Sequence, residues 1–418
     1  MRRFLFFYFL GVTSFIHAQQ FHGSWTGELN IGIQKLRINI HIDSVEAYVV
    51  KGSFDSPNQG VFGIAFNDVR IRNGELMCRL SEADITFHAE LTGIDEMEGR
   101  WIQGGQSFGF PLRPLLEEDR KPKRTQELSL PLPYLEEAFS FINDNGDTLH
   151  GTLSIPAGRK RFPAVILITG SGPQDRNSEI LGHKPFLVLS DHLTRMGIAV
   201  LRFDERGVGE SGGDFERATT GDFGADVRQA YLKLLKHRRI DKKRVGLFGH
   251  SEGGWTAMIA NSELQNSPPA FLIMAAASGV PAKELLLMQR DRIEKLQGLS
   301  KRQREKSAEE VTVYFDIMLE ANSLEEAHTK LEGYFAVKAR DYNDPEALRN
   351  EYAIISNSML TPWFYFFLHY PVREGIHAIK SPTLVINGRL DTQVPAEENT
   401  RSFLRILQQN RVPVEVKI

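Results

Sequence analysis

Five short, nearly continuous apolar runs set the tightest limit on what this chain can fold into. They are Ala164 to Ile168, Ile198 to Phe203, Val245 to Phe248, Phe271 to Met274 and Leu384 to Ile386, and each ends in turn-forming residues. A strand that is apolar at nearly every position must be buried on both faces, whereas a half-exposed strand alternates. The covering layers are at hand: segments of helical spacing, such as Lys184 to Met196 and Asp222 to His237, separate the first four runs. Strands alternating with helices form a doubly wound, mostly parallel sheet of the α/β class. This unit is expected to begin at residue 134. Its first pair, Ala138 to Ile142 and Leu149 to Ile155, reads as a hairpin turning at Asn143-Asp144-Asn145-Gly146.

Between the fourth and fifth runs the alternation stops. Residues 281–375 carry charged helical sequence, including Lys283 to Gln297 and Ser307 to Leu319. An insert of this size exceeds an ordinary crossover and is expected to form a helical cap over the carboxyl edge of the sheet. Beyond the fifth run, a helix from about Ala396 to Gln409 leads into a strand at Val414 to Ile418.

The first third of the chain has another rhythm. In residues 19–113, Leu36, Ile38, Ile40 and Ile42 alternate with Arg37, Asn39, His41 and Asp43. Ile85, Phe87, Ala89 and Leu91 repeat the pattern, as do Phe108, Phe110 and Leu112, and the pairs Asn73-Gly74 and Gly104-Gly105 supply turns. Period-two alternation with turns at this spacing predicts an all-β barrel or sandwich. Residues 114–133 are rich in proline and charge and read as a linker. Residues 1–18 read as a signal peptide: Arg2 and Arg3 precede the apolar stretch Phe4 to Ile16, and Ala18 offers the cleavage site. Thirteen apolar residues are fewer than the ~20 a membrane-spanning helix needs, so an exported chain, periplasmic or secreted, is expected. No later segment is long and apolar enough to span. The single cysteine, Cys78, excludes an intrachain disulfide and reads as a small core residue. A net charge of −3 without a basic stretch gives no footprint for nucleic acid. Nothing in the spacing of histidines and carboxylates suggests a metal site.

Chemistry is concentrated at Gly249-His250-Ser251-Glu252-Gly253-Gly254, which follows an apolar run and opens a helix, Trp255 to Ala260. This is G-x-S-x-G between strand and helix, where a strained turn lifts a serine hydroxyl clear of the sheet. Ser251 is therefore the candidate nucleophile. A serine needs a base, and the base an orienting acid. Asp391, just past the run Leu384 to Ile386, is the candidate acid, with turn capping as its other role. Glu397 and Glu398 read as exposed helix residues. Two backbone donors must face the oxyanion. Glu252, next after the nucleophile, supplies one N–H. The loop Thr169-Gly170-Ser171-Gly172-Pro173-Gln174-Asp175-Arg176 supplies the other from Ser171 or Gly172, unless that loop merely turns the chain. Gly207-x-Gly209-x-x-Gly212 follows a strand but opens no helix until about Thr220, so it lacks the helix N-terminus a pyrophosphate would need. It reads as a structural turn bordering the site, and no cofactor is called for. The aromatic run beginning Thr361-Pro362-Trp363-Phe364 could wall an acyl pocket through Trp363 and Phe364, or simply pack a core.

Taken together, the exported β-domain, the Gly170 to Arg176 loop, Asp204 to Ser211, the Ser251 turn, Thr361-Pro362-Trp363-Phe364 and Asp391-Thr392-Gln393-Val394-Pro395 resemble the bacterial EstD-type carboxylesterases. These are serine aminopeptidase-like members of the α/β-hydrolases. The resemblance covers nearly the whole chain after residue 18. It implies the α/β-hydrolase fold, Ser251 and Asp391 as triad members, and cofactor-free hydrolysis of a small carboxylic ester. Peptide hydrolysis on the same fold and a non-catalytic binding role are the alternatives. The family places its catalytic histidine after the last strand, yet no histidine follows Asp391 in this sequence. His250 adjoins the nucleophile and is expected to point away from its Oγ, while His369 and His377 fall in or beside the cap. The expectation is that residues 134–418 are an incomplete hydrolase domain, cut before that histidine.

Overall fold

The computed structural model describes residues 21–418, apart from residues 32–33, 46–48, 60, 73, 104, 121–127, 129, 159–160, 181 and 341–343. The signal-peptide reading, the turn residues Asn73 and Gly104, and part of the linker fall outside the described residues. The chain divides into two compact units between Gln126 and Glu127.

The first unit is a nine-stranded antiparallel sheet of β1 (Gly23–Ile31), β2 (Gln34–Val45), β3 (Val49–Ser56), β4 (Val61–Ala65), β5 (Asp68–Arg72), β6 (Glu75–Leu80), β7 (Ile85–Leu91), β8 (Met97–Gln103) and β9 (Gln106–Pro114), in the order β4-β3-β2-β1-β9-β8-β7-β6-β5. Period-two alternation sends Ile38, Ile40, Ile42, Phe87, Ala89, Phe110 and Leu112 to one face, where they bury with Trp25 and Trp101. Cys78 is buried among them, and burial pushes its thiol far above the usual range, so it packs rather than reacts. Outside this core, Ser24 Oγ meets His41 Nδ1 at 2.8 Å and His41 Nε2 meets Asp55 Oδ2 at 2.8 Å. Asp55 also accepts the N–H of Gly63. These groups form a cross-strand ladder from β1 to β4.

The second unit holds an eight-stranded sheet. Its elements run β10 (Leu135–Ile142), β11 (Thr148–Ile155), β12 (Phe162–Ile168), α1 (Pro185–Arg195), β13 (Ala199–Phe203), α2 (Thr220–Leu234), β14 (Ile240–His250), α3 (Glu252–Glu263) and β15 (Leu272–Ala275). The cap follows as α4 (Ala282–Leu296), α5 (Lys301–Leu319), α6 (Leu324–Lys338), α7 (Pro345–Met359), α8 (Pro362–His369) and α9 (Val372–His377), and the chain returns through β16 (Thr383–Ile386), α10 (Ala396–Gln409) and β17 (Val414–Lys417). The strand order is β10-β11-β13-β12-β14-β15-β16-β17. The hairpin forms the antiparallel edge, and β13 through β17 pair in parallel. This is the α/β-hydrolase arrangement expected, with an antiparallel β unit before it.

Two boundaries differ from the apolar pattern, for a common reason. β14 begins at Ile240, ahead of the expected Val245, because Asp241-Lys242-Lys243-Arg244 extends the strand with little burial. α5 begins at Lys301 rather than Ser307: its first turn is charged, and a Ser300–Gln303 capping box starts it. Periodicity of apolar residues detects buried segments and passes over solvated extensions. Among the described residues, no helix is long and apolar enough to cross a membrane.

Candidate active site

The carboxyl ends of the parallel strands stand in line. Ser251 N–H donates to Ala275 O, Ala276 N–H to Ile386 O, and Asn387 N–H to Lys417 O, at 2.8–3.0 Å. Ser251 leaves β14 and Asp391 follows β16, two strands away, a separation of about 10 Å across the sheet.

Ser251 has φ 55° and ψ −122° as the residue before α3. Such a conformation costs a non-glycine residue about 1–3 kcal/mol. Its neighbours make the turn possible. A Cβ on Gly249 would lie 2.2 Å from Gly253 O, and one on Gly253 would lie 2.3 Å from Thr169 O. Only glycine lets the two segments approach this closely. The turn aims Ser251 at the sheet's carboxyl edge with the N-terminus of α3 behind it, favouring negative charge there.

Asp391 is half-buried in the turn after β16. Its Oδ1 accepts the N–H groups of Gln393 and Val394, both at 2.9 Å. Among the described residues, its Oδ2 has only a long contact, 3.5 Å, from Asn387 Nδ2. Both readings of this carboxylate are thus visible: one oxygen caps its own turn, and the other is free to accept from an imidazole.

The Gly170 to Arg176 loop lies against Ser251. A Cβ on Gly170 would stand 3.1 Å from Ser251 Cβ and 3.4 Å from His250 Nδ1. Ser171 and Gly172 are exposed, and Gly172 takes φ 91°. Glu252 is buried at the first turn of α3. His250 is crowded by the protein yet exposed along one edge. Burial lowers its pKa, with Asp391 partly opposing. No hydrogen bond joins it to Ser251 or Asp391. His369 turns Nδ1 to Tyr365 O within the cap, and His377 turns Nδ1 to Asn410.

The two aromatic pocket candidates separate in the structure. Phe364 is buried and packs on Phe315. Trp363 is half-buried, stacks on Phe367, and donates Nε1–H to Glu252 Oε1 at 2.7 Å. Thr220, at the start of α2, donates to the same oxygen. A cap residue therefore touches the side chain that follows Ser251.

Sequence reasoning missed the polar cluster behind the loop. Glu205, Asp226 and Glu252 line a narrow cavity together with Thr169 and Gly170. Glu205 accepts Thr169 Oγ1–H at 2.5 Å and Gln174 N–H at 3.0 Å. Asp204 beside it accepts from the backbone and guanidinium of Arg176. Burial opposes ionisation of Asp204, but these bonds hold its carboxyl below the ordinary range. The glycines at 207, 209 and 212 serve this turn: a Cβ on Gly209 would lie 2.6 Å from Asp204 Oδ2.

Residues 185–416, more than half of the chain, match the family described as serine aminopeptidase, S33. Esterase EstD of Thermotoga maritima is 32% identical over 173 residues, covering 41% of this chain and 40% of that protein. An uncharacterized 31.7 kDa protein from the traX-finO intergenic region of Escherichia coli is 28% identical over 130 residues, 31% of this chain and 42% of its own length. The chain thus spans about two-fifths of the length of the curated relatives it matches. Among solved structures, the Pyrococcus furiosus esterase Pf2001 superposes with a TM-score of 0.43 at 20% identity, over 70% of this chain and 85% of that one.

Proposed function

This chain belongs to the serine aminopeptidase S33 family of α/β-hydrolases, and from that premise we propose that it cleaves small carboxylic esters through an acyl-enzyme on Ser251. The observation that carries the reading is the Ser251 turn, held at positive φ with the Gly170 loop packed against it. Ser251 Oγ attacks the ester carbonyl, the alcohol departs, and water releases the acid. Glu252 N–H and a loop N–H from Ser171 or Gly172 stabilise the tetrahedral oxyanion. An imidazole oriented by Asp391 Oδ2 would take the serine proton, a group that none of the described histidines supplies at hydrogen-bond distance. The similarity to an esterase by name supports ester hydrolysis, and the family's description keeps peptide hydrolysis as the second reading.

Among the described residues, no histidine makes a hydrogen bond to Ser251 or Asp391. In a serine protease, loss of the histidine costs on the order of 10⁶ in kcat. Acylation of Ser251 in this chain is therefore expected to be slow, and added imidazole to accelerate it. The test compares short-chain p-nitrophenyl esters with aminoacyl p-nitroanilides, each against Ser251→Ala. Faster Ser251-dependent reaction with esters supports the proposal, and preference for anilides selects the peptidase. Reaction with neither, even with imidazole, would leave a ligand-binding protein on a hydrolase scaffold.

A further inference from the structure

The loop carrying Ser171 and Gly172 is exposed where an oxyanion site needs rigidity. A donor N–H stabilises a transition state only when its position is fixed before the reaction. The segment Ser171–Pro173 lies on the surface. Within the loop itself, Gln174 Nε2 donates to Ser171 O at 3.3 Å. Its placement must come from its two ends.

Both ends meet one carboxyl group. Thr169 Oγ1 reaches Glu205 Oε1, and Gln174 N–H reaches Glu205 Oε2. Glu205 N–H in turn donates to Gln174 O at 3.3 Å, so Gln174 is gripped through both backbone groups. Glu205 is 7% exposed and lies two residues past the end of β13. The neighbouring carboxylates have other duties. Asp226 takes a two-bond contact from Arg206, at 2.7 and 2.8 Å. Glu252 takes Thr220 and Trp363. Both side-chain partners of Glu205 belong to the loop.

We propose that Glu205 is a positioning residue for the oxyanion site, spanning the Thr169–Gln174 loop from beneath and fixing its N–H groups against Ser251. The proposal rests on Ser251 being the nucleophile. Glutamine keeps the two-point grip, since its amide oxygen can accept from Gln174 N–H while its amide nitrogen donates to Thr169 Oγ1. Leucine fills similar space and grips neither.

The experiment measures Ser251 acylation by a p-nitrophenyl ester in the 418-residue chain, with hydrogen exchange of the loop followed by mass spectrometry. Glu205→Leu is expected to lower the maximal acylation rate about ten- to a hundredfold. The half-saturating ester concentration should change little, because the oxyanion forms only after binding. The amides of Gly170, Ser171, Gly172 and Gln174 should exchange faster while the rest of the chain keeps its protection. Glu205→Gln should restore both readouts, and Thr169→Val should loosen the loop to a lesser degree, which matters if the leucine variant fails to fold. Unchanged loop exchange, an unchanged maximal rate in Glu205→Leu, or equal damage in the leucine and glutamine variants would overturn the proposal. If Ser251→Ala is acylated as fast as the parent, the nucleophile assignment has failed. Loop exchange then still decides whether Glu205 holds the loop.

Discussion

Glu205 shows how a single residue can be essential to a site and invisible in the sequence. Its partners lie 31 and 36 positions away, and Trp363 reaches Glu252 across 111. No local pattern encodes such pairings. The positions of Ser251 and Asp391 in the fold were legible for the opposite reason: each comes soon after a recognisable strand, so chain order alone places it past that strand's carboxyl end. Glu205 also makes stability depend on pH. Burial first, then Glu252 and Asp226, push its carboxyl up to about 8, against the hydrogen bonds from Thr169 and Gln174. Its folded pKa thus stands above the reference value of 4.5. The folded state holds a proton that the unfolded chain releases, so this contribution is full below the lower value and is lost as pH rises to the higher one. Glu205→Gln has no such proton to lose. Its melting temperature relative to the parent is expected to rise between about pH 5 and about pH 9. A difference independent of pH would show that Glu205 does not titrate in this window.

At the scale of elements, buried strands were legible and solvated extensions were not, as β14 and α5 illustrate. The aromatic run of α8 was ambiguous because helical spacing shows which residues share a face, but not what that face meets. The structure gives neighbouring residues different surroundings. Phe364→Ala should cost about 3–5 kcal/mol of stability by opening a cavity in the cap. Trp363→Phe keeps an aromatic ring but removes the donor to Glu252, at a cost of about 1–2 kcal/mol. Urea unfolding of both variants checks the order. A smaller loss for Phe364→Ala, with a changed half-saturating ester concentration, would return Phe364 to the substrate pocket.

Among the described residues of the whole molecule, the hydrophobic core of each unit is drawn from its own part of the chain. The first unit's core uses residues between Phe21 and Leu112, and the second unit's, in two clusters, uses residues from Phe139 onward. The change of rhythm in the sequence, from alternating to continuous apolar runs, already separated them. A chain of residues 127–418 should therefore melt in one cooperative transition without the β unit. Aggregation or a broad, non-cooperative melt would mean that the second core depends on the first.

The central claim is that Ser251 carries the acyl group. Incubating the chain with p-nitrophenyl acetate and mapping the acetyl group by tandem mass spectrometry tests it most directly. The expected result is acetylation of Ser251, hastened by imidazole, with no compensating site in Ser251→Ala. Acetyl transfer to another residue, proceeding equally well in Ser251→Ala, would contradict the account.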